Sequence, residues 1–337
     1  MRDMPCEDAS ISFSEENNKY HIIAVADGHG AASCFRSNRG SEAAVKVAVK
    51  CLKKFAETNL LTSDAEKRFY KDMSEILEYK EKTLKLLTDE IVEEWKDFVD
   101  KDYADNPPTP DEMEMGQSIE EYRESKNVAH IYGTTLIAAL WMPSCLILLQ
   151  QGDGRCDVFY TDGTVEQPIP WDIRCEDNAT TSMCDSDAAE SFRTKYIDFS
   201  EKRVMACYLG SDGIEDAYRD TYEELGSSHV RMGGVHTFYK DLLCQVALKS
   251  EKEFENFLHK MLPQFSAAGR FSRSGSGDDI SVAGIVDTEA IQQYVEQFQI
   301  DVQLYDLEEK LFWKEDELRG KTRKHGILLK RQQEAEK

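Results

Sequence analysis

Tyr20-His21-Ile22-Ile23-Ala24-Val25-Ala26-Asp27-Gly28-His29-Gly30 is the stretch from which the rest of the chain is read. The run from Tyr20 to Ala26 is short and rich in Ile and Val, which fits a buried strand better than a helix. It stops abruptly at Asp27-Gly28, with an imidazole and a second glycine behind. The pattern then changes. Ala44, Val45, Val47, Ala48, Val49, Leu52 and Phe55 recur at helical spacing, and Ser41 stands where an N-cap is expected.

Other apolar runs meet carboxylates in the same way. Cys145 to Gln151 leads into Asp153-Gly154, and Arg203 to Leu209 leads into Ser211-Asp212-Gly213. Ile280 to Val286 departs from Asp278-Asp279, and Glu7-Asp8 precedes the alternating segment Ala9 to Phe13. If these strands are neighbours, carboxylates from distant parts of the chain collect at one sheet edge. Carboxylates so grouped repel each other and must hold protons or bind cations. Hard divalent ions with oxygen ligands (magnesium, manganese or calcium) are the usual answer. Two such ions roughly 3.5–4 Å apart can position and activate a water for attack on phosphorus. A glycine after Asp27 lets the backbone come close, so the Gly28 carbonyl is also a candidate ligand.

The competing reading is a plain turn, since Asp-Gly is a strong hairpin signal. Asp162-Gly163 is read that way. The others differ in their neighbours: His29 follows Asp27-Gly28, and Ser211 precedes Asp212-Gly213.

Elsewhere, Ala65 to Asp100 is helix-like, with Ile76, Leu77, Leu84, Leu87, Ile91, Trp95 and Phe98 on a recurring face. The acidic stretch Asp102 to Ser118 reads as a solvated surface loop. Pro143-Ser144 separates two apolar runs as a hairpin does. Thr237 to Leu248 and Phe254 to Phe265 read as amphipathic helices. After Asp287 the composition shifts. Residues 289–337 contain no Pro and are highly charged, which suggests one or two surface helices, or a coiled coil, outside a domain spanning 1–286.

The 337 residues carry a formal net charge of -23. That balance argues against nonspecific nucleic-acid binding, which needs Lys and Arg against phosphates, and against docking on an anionic membrane. Hydrophobic residues make up 41%, enough for a sizeable core. The nine Cys form no C-x-x-C pair and read as reduced thiols. No apolar leader is evident at the start, and no run approaches the roughly 20 apolar residues of a membrane span. A cytoplasmic location is expected.

In this order the motifs resemble those of the metal-dependent protein phosphatases, the type 2C family. Glu7-Asp8 resembles the family's N-terminal acidic pair, and Asp27-Gly28-His29-Gly30 its Asp-Gly-His-Gly signature. Gly133-Thr134-Thr135 resembles Gly-Ser/Thr-Thr, and Gly152-Asp153-Gly154-Arg155 resembles Gly-Asp-Ser-Arg. Ser211 to Asp216 resembles Ser-Asp-Gly-hydrophobic-x-Asp, and Asp278 to Val282 resembles Asp-Asn-x-Ser/Thr-Val. The resemblance spans residues 6–286 and implies an α+β fold: a four-layer α-β-β-α sandwich of two antiparallel sheets flanked by helices. The C-terminal helical extension, 287–337, lies outside it.

The resemblance also implies roles. Asp27 would bridge two metals, with the Gly28 carbonyl on one. Asp212 and Asp278 would hold the first metal, Glu7 with Asp8 would hold or orient the second through water, and Asp153 would be a third-metal ligand beside Asp212. The cofactors would be two or three Mn2+ or Mg2+ ions. His29 would protonate the leaving serine or threonine oxygen, and a metal-bridging hydroxide would be the nucleophile. The substrate would be a phosphorylated protein, and the C-terminal helices could hold a protein partner.

The family's phosphate-gripping Arg has no direct counterpart. Arg2 is one residue too early, although Met4 to Ala9 resembles a bacterial branch that often lacks that Arg. Arg36 and Arg39 are candidates in its place, or ordinary surface arginines. Asp279 replaces the family's Asn and Gly154 its Ser. The reading is thus an active serine/threonine phosphatase. Its alternative is a pseudophosphatase that keeps the fold and acts as a signalling or binding module.

Overall fold

The computed structural model describes residues 6–115, 128–175, 179–218, 222–225, 228–231, 234–268 and 278–335. Its strands are β1 (Ala9–Ser14), β2 (His21–Ala26), β3 (Leu136–Met142), β4 (Cys145–Gln151), β5 (Arg155–Tyr160), β6 (Val165–Glu166), β7 (Arg193–Asp198), β8 (Val204–Gly210), β9 (Tyr222–Leu225), β10 (Ser228–Arg231) and β11 (Val282–Val286). The helices longer than two turns are α1 (Ser37–Asn59), α2 (Ser63–Glu75), α3 (Leu77–Asp105), α4 (Gly234–Leu248), α5 (Glu251–Ala268) and α6 (Val295–Ala335). One sheet runs β1-β2-β3-β4-β7, and a second runs β11-β8-β5-β6. Every pairing in both is antiparallel.

The period-2 alternation of strand side chains sorts the apolar residues into layers. On β2, β3 and β4, Ile22, Ala24, Leu136, Ala138, Leu140, Ile147 and Leu149 face a core shared with Leu52 of α1, Phe69 and Met73 of α2, and Trp95 of α3. Their neighbours Ile23, Val25, Ile137, Ala139, Leu146 and Leu148 face the second sheet and meet Cys156, Val158, Cys207 and Leu209. On the far side, Phe159, Met205 and Tyr208 pack against Phe238, Tyr239 and Leu242 of α4. The result is helix, sheet, sheet, helix, as expected from the sequence.

Four local expectations are corrected. Ser41 is not a cap: α1 begins at Ser37, and the buried Ser41 hydroxyl donates to the Glu7 carbonyl at 2.6 Å. The helix read over 65–100 is two helices, divided at Ile76, whose backbone is extended (φ -118, ψ 98). Ile76 and Leu77 are exposed there, because α2 buries Phe69 and Met73 while α3 starts its own apolar face at Leu84. The acidic stretch after Asp102 is not simply solvated. Glu112 returns to the body and takes both Nε and Nη2 of Arg36, at 2.9 and 3.0 Å. Finally, the composition shift at residue 287 is not a change in packing. Ile291, Val295 and Phe298 are buried in the same core as Phe159 and Tyr239, and beyond them α6 runs on to Ala335.

Candidate active site

The turn after β2 is held by backbone geometry. The Asp27 N–H donates to Thr135 Oγ1 at 3.0 Å. The Asp27 carbonyl accepts from the Thr135 N–H and from Thr134 Oγ1, both at 2.8 Å. Gly28 bridges to Thr134. A Cβ on Gly28 would lie 2.5 Å from the Glu7 carbonyl oxygen, so only glycine lets the segment entering β1 cross the turn. That segment is tied down from three sides. The Glu7 N–H donates to Asp279 Oδ2 at 2.7 Å, Ser37 Oγ donates to Glu7 Oε1 at 2.9 Å, and Ser41 holds the Glu7 carbonyl.

Carboxylates from four strand ends meet beside this turn. Burial, and then Asp212, Asp8 and Asp153, hold the Asp27 carboxyl well above the ordinary range. Burial also pushes Asp8 up to about 6, against the lowering influence of Ser211 and Asp27, while Asp279 and Asp278 raise it further. Both Asp8 carboxylate oxygens are buried without a well-formed hydrogen bond, although Ser211 and Asp27 adjoin them. Asp153 follows Gly152, whose φ of 99 reverses the chain after β4. Burial raises its pKa, and Thr180 and Arg193 oppose that. Glu7 is raised by burial, eased by Ser37, and pushed up again by Asp279 and Asp278. Asp278 is exposed at the rim.

His29 stands beside this group. Its backbone N–H donates to the Gly133 carbonyl at 3.0 Å, and its Nε2 lies 2.7 Å from Ser182 Oγ. Burial, with help from the nearby charge of His130, pushes its pKa down to about 4, so the ring is neutral near pH 7. An anionic phosphate at its edge would favour the protonated ring and so prepare it to give up a proton.

The donor set suits a hard divalent cation. Asp8, Asp27, Asp153 and Asp212 offer only oxygen, they crowd one another, and the Asp8 oxygens are buried without a well-formed hydrogen bond among the described residues. Among the described residues no three His, Cys, Asp or Glu groups already converge as a finished cage. The fit therefore lies in donor chemistry and charge.

Of the three arginines named for phosphate binding, the two that are described are held by carboxylates. Arg2 lies outside the described residues. Arg36 is only 3% exposed. Besides Glu112, its Nη1 donates to the Asn106 carbonyl at 2.7 Å and to the Tyr132 hydroxyl at 2.9 Å. Arg39 is paired with Asp102 at 2.8 Å. The sequence reading passed over three groups that the structure brings to the site: Ser182 on His29, Thr180 on Asp153, and Arg193, whose Nη2 donates to the Gly152 carbonyl. The hydroxyl run Thr180-Thr181-Ser182 was the available signal, but nothing in its spacing announced a partner about 150 residues away.

The sequence model of the family described as protein phosphatase 2C matches residues 1–265. No curated protein sequence matches the chain. Among solved structures, a bacterial serine phosphatase is 15% identical, with 84% of this chain and 92% of that one covered and a TM-score of 0.47. The serine/threonine phosphatase Stp1 from Staphylococcus aureus is 14% identical (83% and 88% covered, TM-score 0.44). Serine-threonine phosphatase 2C from Toxoplasma gondii is 12% identical (85% and 91% covered, TM-score 0.44). At these scores the neighbours decide nothing about the site.

Proposed function

The chain belongs to the protein phosphatase 2C family, and from that premise we propose that it removes phosphate from phosphoserine and phosphothreonine of proteins in a metal-dependent reaction. The observation that carries this reading is the meeting of Asp8, Asp27, Asp153 and Asp212 from strand ends of both sheets, with His29 beside them. Two or three Mn2+ or Mg2+ ions would be held by Glu7, Asp8, Asp27, the Gly28 carbonyl, Asp153, Asp212 and Asp278. When bound, such ions polarise phosphoryl oxygens and make water a better nucleophile near neutral pH.

The protein's own share is positioning and proton transfer. The two hydrogen bonds on the Asp27 carbonyl fix the direction in which its side chain leaves β2. His29 would take up a proton from solvent under the field of the phosphate dianion and donate it to the departing serine or threonine oxygen. Arg36 supports the site indirectly, since its guanidinium locks the start of α1 to Glu112 and Tyr132. Gripping of substrate phosphate is not assigned to Arg36 or Arg39, both of which are held by carboxylates.

The acidic surface favours substrates with basic residues around the phosphorylated side chain. All nine cysteines are free and eight are buried, which favours a reducing compartment such as the cytoplasm. No helix among the described residues is long and apolar enough to cross a membrane. A protein partner on the exposed part of α6 is part of the proposal.

The test is release of phosphate from a phosphothreonine peptide by the purified protein with Mn2+ or Mg2+, beside Asp27→Asn and Asp212→Asn. Metal-dependent release by the wild type and its loss in both variants is expected. No release by a folded wild-type protein refutes the enzyme and leaves the pseudophosphatase. Equal release by the variants refutes the assigned site.

A further inference from the structure

Ser182 is 2% exposed and is held at every polar atom. Its N–H donates to Asp185 Oδ2 at 2.8 Å, and its carbonyl accepts from Gln151 Nε2 at 3.0 Å. Its hydroxyl oxygen lies 3.1 Å from the Thr134 carbonyl, 3.3 Å from the Cys184 N–H and 2.7 Å from His29 Nε2. A serine hydroxyl has one proton to give and two lone pairs. The Cys184 N–H can only donate, so it takes one lone pair. The Thr134 carbonyl can only accept, and it is a better acceptor than the Cys184 sulfur at 3.2 Å. The Thr134 carbonyl also accepts from the Met183 N–H at 2.9 Å and keeps its second lone pair for the Ser182 proton; with the proton there, the remaining serine lone pair faces the imidazole.

We propose that Ser182 is a positioning residue that fixes the His29 tautomer with its proton on Nε2, so that Nδ1 is the nitrogen turned toward the leaving oxygen. This rests on the phosphatase reading above for its consequence, though not for its geometry. The imidazole torsion is broad and nearly two-fold, so an unheld ring would present either nitrogen. The Cδ2 edge of the ring lies on Gly133, where a Cβ would come within 2.6 Å, so glycine is what lets the imidazole settle there. The hydrogen bond to Ser182 is what distinguishes the two nitrogens. Thr180 and Thr181, the two residues before it, reach Asp153 and the Gly152 N–H. One hydroxyl-bearing segment therefore sets both the proton donor and the Asp153 carboxylate.

The test uses the full chain with 15N-labelled histidine, and the His29 signal is identified by its loss in His29→Asn. In the metal-free wild type the ring is expected as the Nε2–H tautomer. Ser182→Ala should give a mixture, and Ser182→Thr, which keeps the hydroxyl, should restore the single form. With Mn2+, Ser182→Ala should lower kcat on a phosphoserine peptide by about 10–100-fold, with KM within about twofold. It should scarcely affect 4-nitrophenyl phosphate, whose leaving group departs without a proton. Ser182→Thr should recover most of the peptide activity. An Nδ1–H tautomer in the wild type, an unchanged tautomer in Ser182→Ala, or equal loss on both substrates would overturn the proposal. If the wild type hydrolyses neither substrate, the phosphatase reading fails, and the NMR arm alone still decides the role of Ser182.

Discussion

Two groups of buried carboxylates flank the start of β5, and they are neutralised in opposite ways. On the helix-facing side, Asp157 and Glu215 surround Arg155, with Nε to Asp157 Oδ2 at 2.5 Å and Nη1 to Glu215 Oε1 at 2.9 Å. His236 Nε2 lies 3.1 Å from Asp157 Oδ1. Burial alone would raise Asp157, but Arg155 and then His236 bring it down to about 2. Where Asp8, Asp27, Asp153 and Asp212 meet, Arg193 opposes the rise of Asp153 only in part, and burial with neighbouring carboxylates pushes Asp8 and Asp27 upward. Burial is common to both. What differs is how far the chain itself supplies the counter-charge. A carboxylate with its own arginine serves the fold, and a carboxylate without one is suited to a cation from solution.

Removing one member of each group should break the comparison most sharply. Asp27→Asn is expected to cost on the order of 1000-fold or more in metal-dependent kcat on a phosphothreonine peptide. The same change should leave the metal-free protein as stable as the wild type, or more so, in a thermal melt, because it relieves repulsion. Arg155→Ala should do the reverse. It strands Asp157 and Glu215 in the interior and should cost about 3–5 kcal/mol in urea unfolding, a loss that saturating Mn2+ does not repair.

Smaller effects sharpen the contrast. Mn2+ at about 100 times its Kd should stabilise the wild type by about 2.7 kcal/mol. Thermal melts should show that shift, and in Asp27→Asn it should largely vanish. Acid should act on the other cluster. The folded pKa of Asp157 is depressed, so its contribution is fully present above the unfolded value near 4 and is lost as pH falls toward about 2. That is about two pK units, and at about 1.4 kcal/mol per unit it amounts to about 3 kcal/mol. Urea midpoints followed from pH 5 to pH 2 should fall more steeply in the wild type than in Asp157→Asn.

What the sequence made legible follows the same division. Strand ends that carry Asp27, Asp153, Asp212 and Asp278 could be read because each motif is local, whereas the division of Ile22 from Ile23 between two layers could not, because an unbroken apolar run shows no alternation. The pairing of Arg36 with Glu112, 76 residues away, could not be read, since a guanidinium shows no preference in sequence for its eventual carboxylate. Ser182 escaped notice for the same reason. Ile76 sat in phase with a helical stripe that the chain interrupts, because α2 and α3 bury different faces. The charge of residues 289–337 concealed that Ile291, Val295 and Phe298 complete a core.

The most direct measurement is a calorimetric titration of Mn2+ into the metal-free protein, wild type beside Asp27→Asn. Saturable binding by the wild type, weakened at least about 10-fold in the variant, is expected if the sheet-edge carboxylates lack only a cation. Absence of saturable binding in the wild type, or identical isotherms for the two proteins, would contradict it.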